Sequence, residues 1–362
     1  MIISRTPFRV SFFGGGTDYP VWYREHGGSV LATTIDKYCY ITCRYLPPFF
    51  EHRTRVAYSR IETVKSNGAI EHPAVRGVLR YLKMEEGIEI HHDGDLPART
   101  GLGSSSSFTV GLLHALNALR HVMPTKMKLA KDAVEIERDV LKENVGCQDQ
   151  IMAAHGGLCR LDFSANDDFC VTPVIMSKQR RAELQAHLLL YFTGFSRTAS
   201  EIAKEQIERT KDREVELKMM HQMVGEGISI LTGGADLADF GKLLHEAWAV
   251  KRSLTSKISS PMIDDIYERA RHAGAIGGKL LGAGGGGFML FFAKPDNHPT
   301  IRKALHELLR VPFELETMGS QIILYQPQEL LARDYPQEFD LRAKMDQWAP
   351  YQPEHQGTEI KL

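Results

Sequence analysis

Residues Pro97 to Ser107 read P-A-R-T-G-L-G-S-S-S-S and run directly into F-T-V-G-L-L-H-A-L-N-A-L, residues 108 to 119. A strand-like segment, Gly87 to His92, precedes this loop, and the segment after it predicts an apolar, buried helix. Because glycine lacks a Cβ, the loop can bring backbone N–H groups close to a polyanion, and a helix N-terminus favours phosphate. An ordinary flexible turn with a serine cap is the alternative for such a cluster taken alone.

The composition is that of a globular protein with room for two domains. The chain has 362 residues, of which 43% are hydrophobic and 25% are charged, and each half can build its own core. A net charge of −1 argues against a nucleic-acid partner, and no apolar run approaches the roughly 20 residues that cross a bilayer. We therefore expect no nucleic-acid and no membrane partner. The first ten residues resemble a strand rather than a signal peptide.

The five cysteines are odd in number and form no C-x-x-C pair. Cys39 and Cys43 share one face of a predicted strand, where buried free thiols are favoured over a metal site. We therefore expect a reducing, cytoplasmic setting and no structural metal.

A second glycine-rich turn follows the first predicted strand, Ile2 to Phe13. It consists of Gly14, Gly15, Gly16, Thr17 and Asp18. Its backbone can lie against a bound ligand, and Asp18 can accept hydrogen bonds from sugar hydroxyls. Capping of the short helix that begins near Tyr19 is the alternative role for Asp18.

Two acidic residues stand out in the middle of the chain. The predicted helix from Lys126 to Lys142 carries Glu137 in the middle of its apolar stripe. An unpaired buried carboxylate is costly, so Glu137 should meet a cation, a metal ion or several donors, with a structural ion pair as the alternative. Residues 144 to 150, N-V-G-C-Q-D-Q, are typical of an active-site turn. In it Asp149 is either a general base or a helix cap.

The second half of the chain changes character. Residues 198 to 273 are dominated by predicted amphipathic helices, and a glycine-rich run from Gly274 to Gly287 leads into a strand. Further strands around 313–316 and 321–325 are predicted to complete this second unit. We predict domains at 1–180 and 181–330, followed by a polar tail at 331–362.

Three stretches, taken in order, resemble the signature of the GHMP kinases, which include galactokinase, homoserine kinase, mevalonate kinase and phosphomevalonate kinase. The string P97-x-x-x-G-L-G-S-S-S resembles the family's phosphate-binding motif and lacks the Gly-Lys-Ser/Thr of a Walker loop. R5-T-P-F-R-V-S-F-F-G-G-G-T-D18 resembles its first, sugar-binding motif, and G277-G-K-L-L-G-A-G-G-G-G287 its third. The resemblance implies a two-lobed α+β fold, with a ribosomal-protein-S5-like N-terminal domain, a ferredoxin-like C-terminal domain and the active site between them.

The resemblance also implies ATP and Mg²⁺ as cofactors and gives roles to matching residues. Asp149 resembles the aspartate that accepts the sugar hydroxyl proton. Arg9 resembles the arginine near the transferred phosphate, with a place on a solvated strand face as the alternative. Ser105 and Glu137 match the magnesium ligands. The implied phosphate-binding residues are Pro97, Gly101, Leu102, Gly103, Ser104, Ser105, Ser106 and Ser107. The implied substrate-binding residues are Gly14, Gly15, Gly16, Thr17, Asp18, Gly284 and Gly285.

The first motif also narrows the substrate. Its G-G-G-T-D ending resembles that of the family's heptose 7-phosphate kinases, with fucokinases as near relatives. This implies phosphorylation of the anomeric hydroxyl of D-glycero-D-manno-heptose 7-phosphate, giving the 1,7-bisphosphate used to make nucleotide-activated heptose. The partner is then a small sugar phosphate, and the enzyme a monomer or homodimer. The candidate cations for the remote phosphate are Arg53, Arg55, Arg197 and Lys37.

Two alternatives remain open at this point. One is a kinase for another acceptor, such as fucose, a different unphosphorylated sugar or a mevalonate-type alcohol. The other is a regulator that binds sugar and ATP on the same fold without catalysis. Since Asp149, Glu137 and Ser105 are all present, we expect a catalytic protein.

Overall fold

Two long strands form the centre of the first lobe. β1 (Ile2–Phe13) and β2 (Gly28–Tyr45) pair antiparallel along most of their length. The computed structural model describes residues 1–47, 49–98, 100–194 and 199–327. The predicted tail at 331–362 and Arg197 lie outside these ranges.

Eleven further strands are described. In chain order they are β3 (Thr54–Ala57), β4 (Ile61–Val64), β5 (Ile88–Gly94), β6 (Leu158–Phe163), β7 (Phe169–Pro173), β8 (Leu188–Phe192), β9 (Ala275–Leu280), β10 (Phe288–Ala293), β11 (Leu309–Val311), β12 (Leu315–Glu316) and β13 (Gln321–Tyr325). β3 and β4 pair with each other as an antiparallel hairpin.

The described helices alternate with these strands. In chain order they are α1 (Pro20–His26), α2 (Pro73–Tyr81), α3 (Ser104–Leu119), α4 (Lys126–Glu135), α5 (Gln148–His155), α6 (Lys178–His187), α7 (Ala199–Glu208), α8 (Glu214–Thr232), α9 (Leu237–Leu254), α10 (Pro261–His272) and α11 (His298–Ala304). Short 3₁₀ turns lie at Asn67–Ala69, Thr210–Arg213 and Pro295–Asn297, and a π-helical turn, Ile136–Val140, continues α4. Among the described helices, none combines the length and apolarity needed to cross a bilayer.

The first lobe is a nine-stranded sheet covered by helices. Its strand order is β13-β1-β2-β5-β3-β4, with β12 and β6 also on β2 and β7 on β6. The 18-residue length of β2 allows β6 to pair along its first half and β5 along its second. Helix α3 packs on β1 and β2 and is buried on nearly every side, as its continuous apolar sequence predicts. Cys39 and Cys43 are buried free thiols on β2, which confirms that prediction.

The second lobe has the βαββαβ order of a ferredoxin-like domain. Its antiparallel sheet runs β11-β8-β10-β9. Helices connect β8 to β9, and α11 connects β10 to β11. This is the split βαβ arrangement, and the predicted two-lobed α+β fold is therefore confirmed.

The last two strands differ from the prediction, which placed them in the second unit. Instead, β12 pairs with β2 and β13 with β1, both in the first sheet. The pairing fills the open edge of β1 with backbone hydrogen bonds, and Arg5 donates to the Gln321 side chain at 2.8 Å. The chain therefore returns to the first lobe after the second, while the boundary at residues 180/181 stays a prediction.

Candidate active site

The glycine–serine loop is fixed on the side of β1. Gly101 and Gly103 both have positive φ values, 85° and 74°, and Gly103 is the N-cap of α3. The Arg9 backbone N–H donates to the Leu102 carbonyl at 3.0 Å, and the Thr100 hydroxyl to the Pro97 carbonyl at 2.8 Å. The loop therefore holds a set shape and presents the start of α3, where four backbone N–H groups have no partner within the helix.

The serines at the start of α3 face different ways. Ser105 is exposed, whereas Ser106 and Ser107 are buried. The Ser106 hydroxyl donates to Glu137 Oε2 at 2.8 Å, and the Ser107 hydroxyl to the Pro7 carbonyl at 2.9 Å. Successive helical residues differ by about 100° in direction, so the structure brings Ser106, rather than Ser105, into contact with Glu137.

Glu137 lies in the π-helical turn after α4 and is only 2% exposed. Its Oε2 also accepts from the Gln150 side chain, while its Oε1 is buried without a hydrogen-bond partner among the described residues. Burial raises the pKa of this carboxyl to about 7, even though neighbouring side chains donate to it. A partly satisfied carboxylate in such a site suits a cation, and π-turns are frequent at functional positions.

Arg9 and Asp149 form a bidentate ion pair beside the loop. Arg9 Nε lies 2.7 Å from Asp149 Oδ1, and Nη2 lies 2.7 Å from Oδ2. The third nitrogen, Nη1, donates to the Gly101 carbonyl at 2.6 Å. The side chain of Arg9 is 5% exposed and that of Asp149 is 25% exposed. The carboxylate is therefore held in one orientation and stays accessible.

Asp18 connects the first glycine turn to the turn that carries Asp149. Its Oδ1 accepts from the Gly16 N–H at 2.9 Å, and its Oδ2 from the Gln148 N–H at 3.3 Å. Burial raises the pKa of Asp18, and the charge of Asp149 adds to this effect. Asp18 thus contacts the start of α5, whereas the N-cap residue of α1 is Tyr19, which makes no side-chain cap hydrogen bond.

The other residues of the first motif hold that turn against β2. Gly14 has a φ of 81° and packs against the Ser29 carbonyl. A Cβ at this position would overlap the carbonyl oxygen. The Thr17 hydroxyl donates to the carbonyls of Gly14 and Ser29 at 2.8 and 2.9 Å. A Cβ on Gly15 would lie 3.3 Å from Ser11 Oγ.

The glycine-rich run of the second lobe packs on the glycine–serine loop. A Cβ on Gly282 would overlap the Gly101 backbone, and the Phe288 N–H donates to the Thr100 carbonyl at 3.2 Å. Gly284 and Gly285 lie further along, where Gly285 donates to the Ile258 carbonyl at 2.9 Å. The two lobes therefore meet at glycines of the two motifs.

Two buried lysines of the second lobe also reach this region, and the sequence reasoning missed them. Lys251 on α9 donates to the Gly282 carbonyl, and Lys279 on β9 donates to the Phe12 carbonyl at 2.8 Å. Burial, followed by repulsion from Arg9, lowers the pKa of Lys251 to about 8, while burial brings that of Lys279 well below its ordinary value. Lys251 follows Leu244, Ala247 and Trp248 on the buried stripe of α9, the same signal that identified Glu137.

The cations predicted for a remote phosphate lie elsewhere. Arg55 pairs with Glu89 and Lys37 with Asp36, while the Arg53 backbone bonds to Val64. Within the described ranges, no hydrogen bond or ion pair joins these three side chains to Asp149, Asp18 or the glycine–serine loop.

Comparisons with known proteins agree with this architecture. Residues 69–157 match the model of the GHMP kinases N terminal domain, and residues 231–311 match that of the GHMP kinases C terminal domain. The D-glycero-alpha-D-manno-heptose 7-phosphate kinase of Campylobacter jejuni is 30% identical over 84% of this chain and 93% of its own length. The galactokinase of Pyrococcus furiosus is 26% identical over 84% of this chain and 92% of its own.

A solved structure has the same fold over nearly the whole chain. The crystal structure of a D-glycero-D-manno-heptose 1-phosphate kinase from Bacteroides thetaiotaomicron superposes with a TM-score of 0.75 at 25% identity. The match covers 90% of this chain and all of that one. Because both domain models of the family match one chain, and a relative is 30% identical over 84% of it, this protein belongs to the GHMP kinase family and is an ATP-dependent phosphotransferase.

Proposed function

We propose that this protein is a sugar kinase that phosphorylates the anomeric hydroxyl of D-glycero-D-manno-heptose 7-phosphate to give the 1,7-bisphosphate. The proposal rests on the hydrogen bonds of the Arg9 guanidinium, which donates to both carboxylate oxygens of Asp149 and to the carbonyl of Gly101. It places an accessible carboxylate directly beside the phosphate loop. The choice of heptose phosphate is supported by the first motif and by the similarity to the Campylobacter enzyme.

Asp149 is the proposed general base. Its carboxylate orients the acceptor hydroxyl and takes its proton as the new O–P bond forms and the bond from the γ-phosphorus to the bridging oxygen breaks, so that ADP leaves. General base catalysis of this kind contributes roughly 10²- to 10⁴-fold. Arg9 fixes the direction of that carboxylate and adds positive charge next to the transferred phosphoryl group. Backbone N–H groups of residues 101–107 hold the donor phosphates. Because phosphoryl transfer depends on positioning and charge neutralisation, these roles account for the chemistry.

Glu137 is the proposed protein ligand for Mg²⁺, together with a serine of α3. Its unpartnered, buried Oε1 fits a cation that keeps water and phosphate oxygens as its other ligands. Ser106 already contacts Glu137, whereas the family motif assigns the metal to Ser105. When bound, Mg²⁺ neutralises charge on the donor phosphates.

The sugar is proposed to lie over the turn Gly14–Asp18, with Gly284 and Gly285 closing the site from the second lobe. Asp18 is engaged with two backbone N–H groups. A carboxylate has about four acceptor positions, so it retains capacity for a hydroxyl. A cytoplasmic, reducing location suits the free thiols of the chain.

A coupled ADP-release assay over a panel of sugars tests this function. The panel contains heptose 7-phosphate, heptose 1-phosphate, the free heptose, fucose, galactose and mevalonate, each with ATP and Mg²⁺. We expect turnover to be highest with heptose 7-phosphate, and the product to carry a second phosphate at C1 by ³¹P NMR. Higher kcat/KM for another acceptor would replace the proposed substrate. Binding of sugar and ATP without ADP release would instead indicate a regulator.

A further inference from the structure

A narrow cleft of about 10 Å³, room for about one water molecule, opens beside Gly16, between the first motif and the second lobe. Tyr19 lines it on one side, and Arg213, Leu217 and Leu254 line it on the other. A Cβ on Gly16 would lie 3.5 Å from Leu217 Cδ2, so the missing side chain keeps this end of the motif open toward α8. The cleft therefore adjoins the proposed sugar site.

Arg213 is the only cation among the described residues that line this cleft. It ends the 3₁₀ turn before α8, and its Nη1 donates to Glu216 at 2.9 Å. Its Nε is buried without a hydrogen-bond partner in the described part of the chain, although the side chain as a whole is 32% exposed. Leaving a guanidinium N–H buried and unpaired is costly. The Nε–Nη2 edge is also one that binds an oxyanion through two parallel hydrogen bonds.

A continuous series of contacts joins this cleft to the proposed base. Asp149 follows Gln148, whose N–H bonds to Asp18, and Asp18 bonds to the N–H of Gly16 at the cleft. An acceptor with its reacting hydroxyl at Asp149 and its ring over this turn would extend its far end toward Arg213. The buried lysines are less suited to that end, since both donate to backbone carbonyls.

We propose that Arg213 binds the remote phosphate monoester of the acceptor, and so selects phosphorylated over unphosphorylated sugars. This inference rests on the proposed function. A phosphate monoester carries about −1.5 to −2 charges at pH 7. Arg213 can offer it the Nε–Nη2 edge, which makes no hydrogen bond or ion pair among the described residues, while Nη1 pairs with Glu216. Arg213 is thus a specificity-determining residue, in place of the cations predicted from the sequence.

The test compares two acceptors that differ only in the remote phosphate, heptose 7-phosphate and free heptose. Steady-state constants are measured for wild type, Arg213→Ala, Arg213→Lys and the control Arg209→Ala, whose arginine pairs with Glu205 on the same segment outside the cleft. In Arg213→Ala we expect KM for the sugar phosphate to rise about 10- to 100-fold, which is the loss expected when hydrogen bonds to a charged group are removed. KM for ATP and for free heptose should not change. KM of Arg213→Lys for the sugar phosphate should lie between those of the wild type and Arg213→Ala, because lysine keeps the charge but cannot form two parallel hydrogen bonds.

Calorimetric titration of heptose 7-phosphate in the absence of ATP gives a second readout, with the Kd rising by the same factor. Arg209→Ala should behave as wild type in both measurements. If the wild type uses the sugar phosphate and Arg213→Ala binds it equally well, or loses both acceptors equally, the inference is wrong while the proposed function stands. If the wild type prefers unphosphorylated acceptors, both fail. If Arg213→Ala does not fold, Arg213→Lys decides the question. The ratio of KM for heptose 7-phosphate to KM for free heptose should then be higher than in the wild type, and an unchanged ratio would overturn the inference.

Discussion

The Arg9 guanidinium donates to both carboxylate oxygens of Asp149 at 2.7 Å, and its remaining nitrogen lies 2.6 Å from the Gly101 carbonyl. One planar group therefore joins the first strand, the phosphate loop and the proposed base. The three acceptor oxygens surround one guanidinium, which is buried, whereas the Asp149 side chain stays partly exposed. Such a charge-assisted, bidentate arrangement fixes geometry as well as charge.

Replacing Arg9 by lysine should break this arrangement while keeping the charge. A single ammonium cannot bond to both carboxylate oxygens and the Gly101 carbonyl in the fork geometry. We expect kcat of Arg9→Lys to fall about 10²-fold, the typical cost of a small misplacement of a catalytic group. Steady-state kinetics with saturating ATP and sugar phosphate measure this change.

Arg24 provides the matched control, because it forms the same bidentate pair with Asp167 on the surface. Its Nε and Nη2 lie 2.9 and 2.7 Å from the two oxygens, and both side chains are more than a third exposed. Exposed pairs contribute about 0–1 kcal/mol, so Arg24→Lys should keep full activity. Equal losses in the two variants would contradict a special role for Arg9.

Asp149→Asn removes the proposed base but retains a side chain of the same shape. The amide oxygen can still accept from Arg9, so the loop should stay in place and ATP should bind with unchanged Kd. Without a proton acceptor, kcat should fall by roughly 10²- to 10⁴-fold. Calorimetry with a non-hydrolysable ATP analogue and single-turnover kinetics separate the two effects. Wild-type turnover in this variant would remove Asp149 from the mechanism.

Periodicity in the sequence predicted mixed α and β structure, and the two-lobed fold followed from the resemblance of three motifs, whereas the Arg9–Asp149 ion pair was not predicted. Glu137 on an apolar stripe predicted a buried carboxylate with donors, and the structure places it on Ser106 and Gln150. Strand β1 and the buried helix α3 likewise follow from their apolar residues. These features depend on local periodicity, which a single sequence displays.

Features that depend on distant pairing were not predictable in the same way. The choice of Ser106 over Ser105 depends on the rotation of α3 about its axis, which is set by packing on β1 and β2. Strand β13 joins the open edge of β1, and β12 pairs with β2 between the stretches that pair with β6 and β5, which no local pattern shows. The sequence predicts cations for the remote phosphate only from positions in loops or beside the first motif, whereas the fold brings Arg213 next to Gly16.

Glu137→Gln tests the proposed metal site, because it removes the negative charge of the carboxylate while keeping a side chain of nearly the same shape. The amide retains acceptor capacity for Ser106 and avoids the cost of burying a carboxylate, so thermal stability without metal should be equal or higher. The Mg²⁺ concentration for half-maximal activity should rise at least about tenfold, since charge neutralisation supplies several kcal/mol in such sites. A Mg²⁺ titration at fixed ATP measures it. An unchanged Mg²⁺ requirement would contradict Glu137 as a ligand.

His114 makes the stability of the protein sensitive to acid. It lies on α3, 3.0 Å from the Ser320 hydroxyl, and burial lowers its pKa from 6.5 to about 4. Between these pH values the unfolded chain binds a proton that the folded protein does not. The contribution of His114 to the free energy of unfolding is therefore complete above pH 6.5. It is lost as the pH falls to about 4, and the total loss is about 3 kcal/mol.

Urea unfolding of His114→Gln over this pH range should show a smaller acid-induced loss of free energy than the wild type. His306 is 79% exposed at its side chain, so His306→Gln is the control and should follow the wild-type curve. Identical pH dependence in all three proteins would show that another group causes the acid sensitivity.

The contact between Gly282 and Gly101 couples the lobes, and alanine at Gly282 should separate them. Gly282 has a φ of 76°, and an added Cβ would overlap the Gly101 backbone. Gly234 has nearly the same φ, 78°, but a Cβ there meets nothing within 4 Å. Gly234→Ala should thus lower the free energy of unfolding only by the cost of placing alanine in the left-handed conformation, about 1–2 kcal/mol. Gly282→Ala should lose more stability than this and raise KM for ATP about tenfold by displacing the loop. Because the backbone conformation is matched, the difference between the two variants measures the inter-lobe contact itself, and equal effects on KM would show that the contact does not support the phosphate loop.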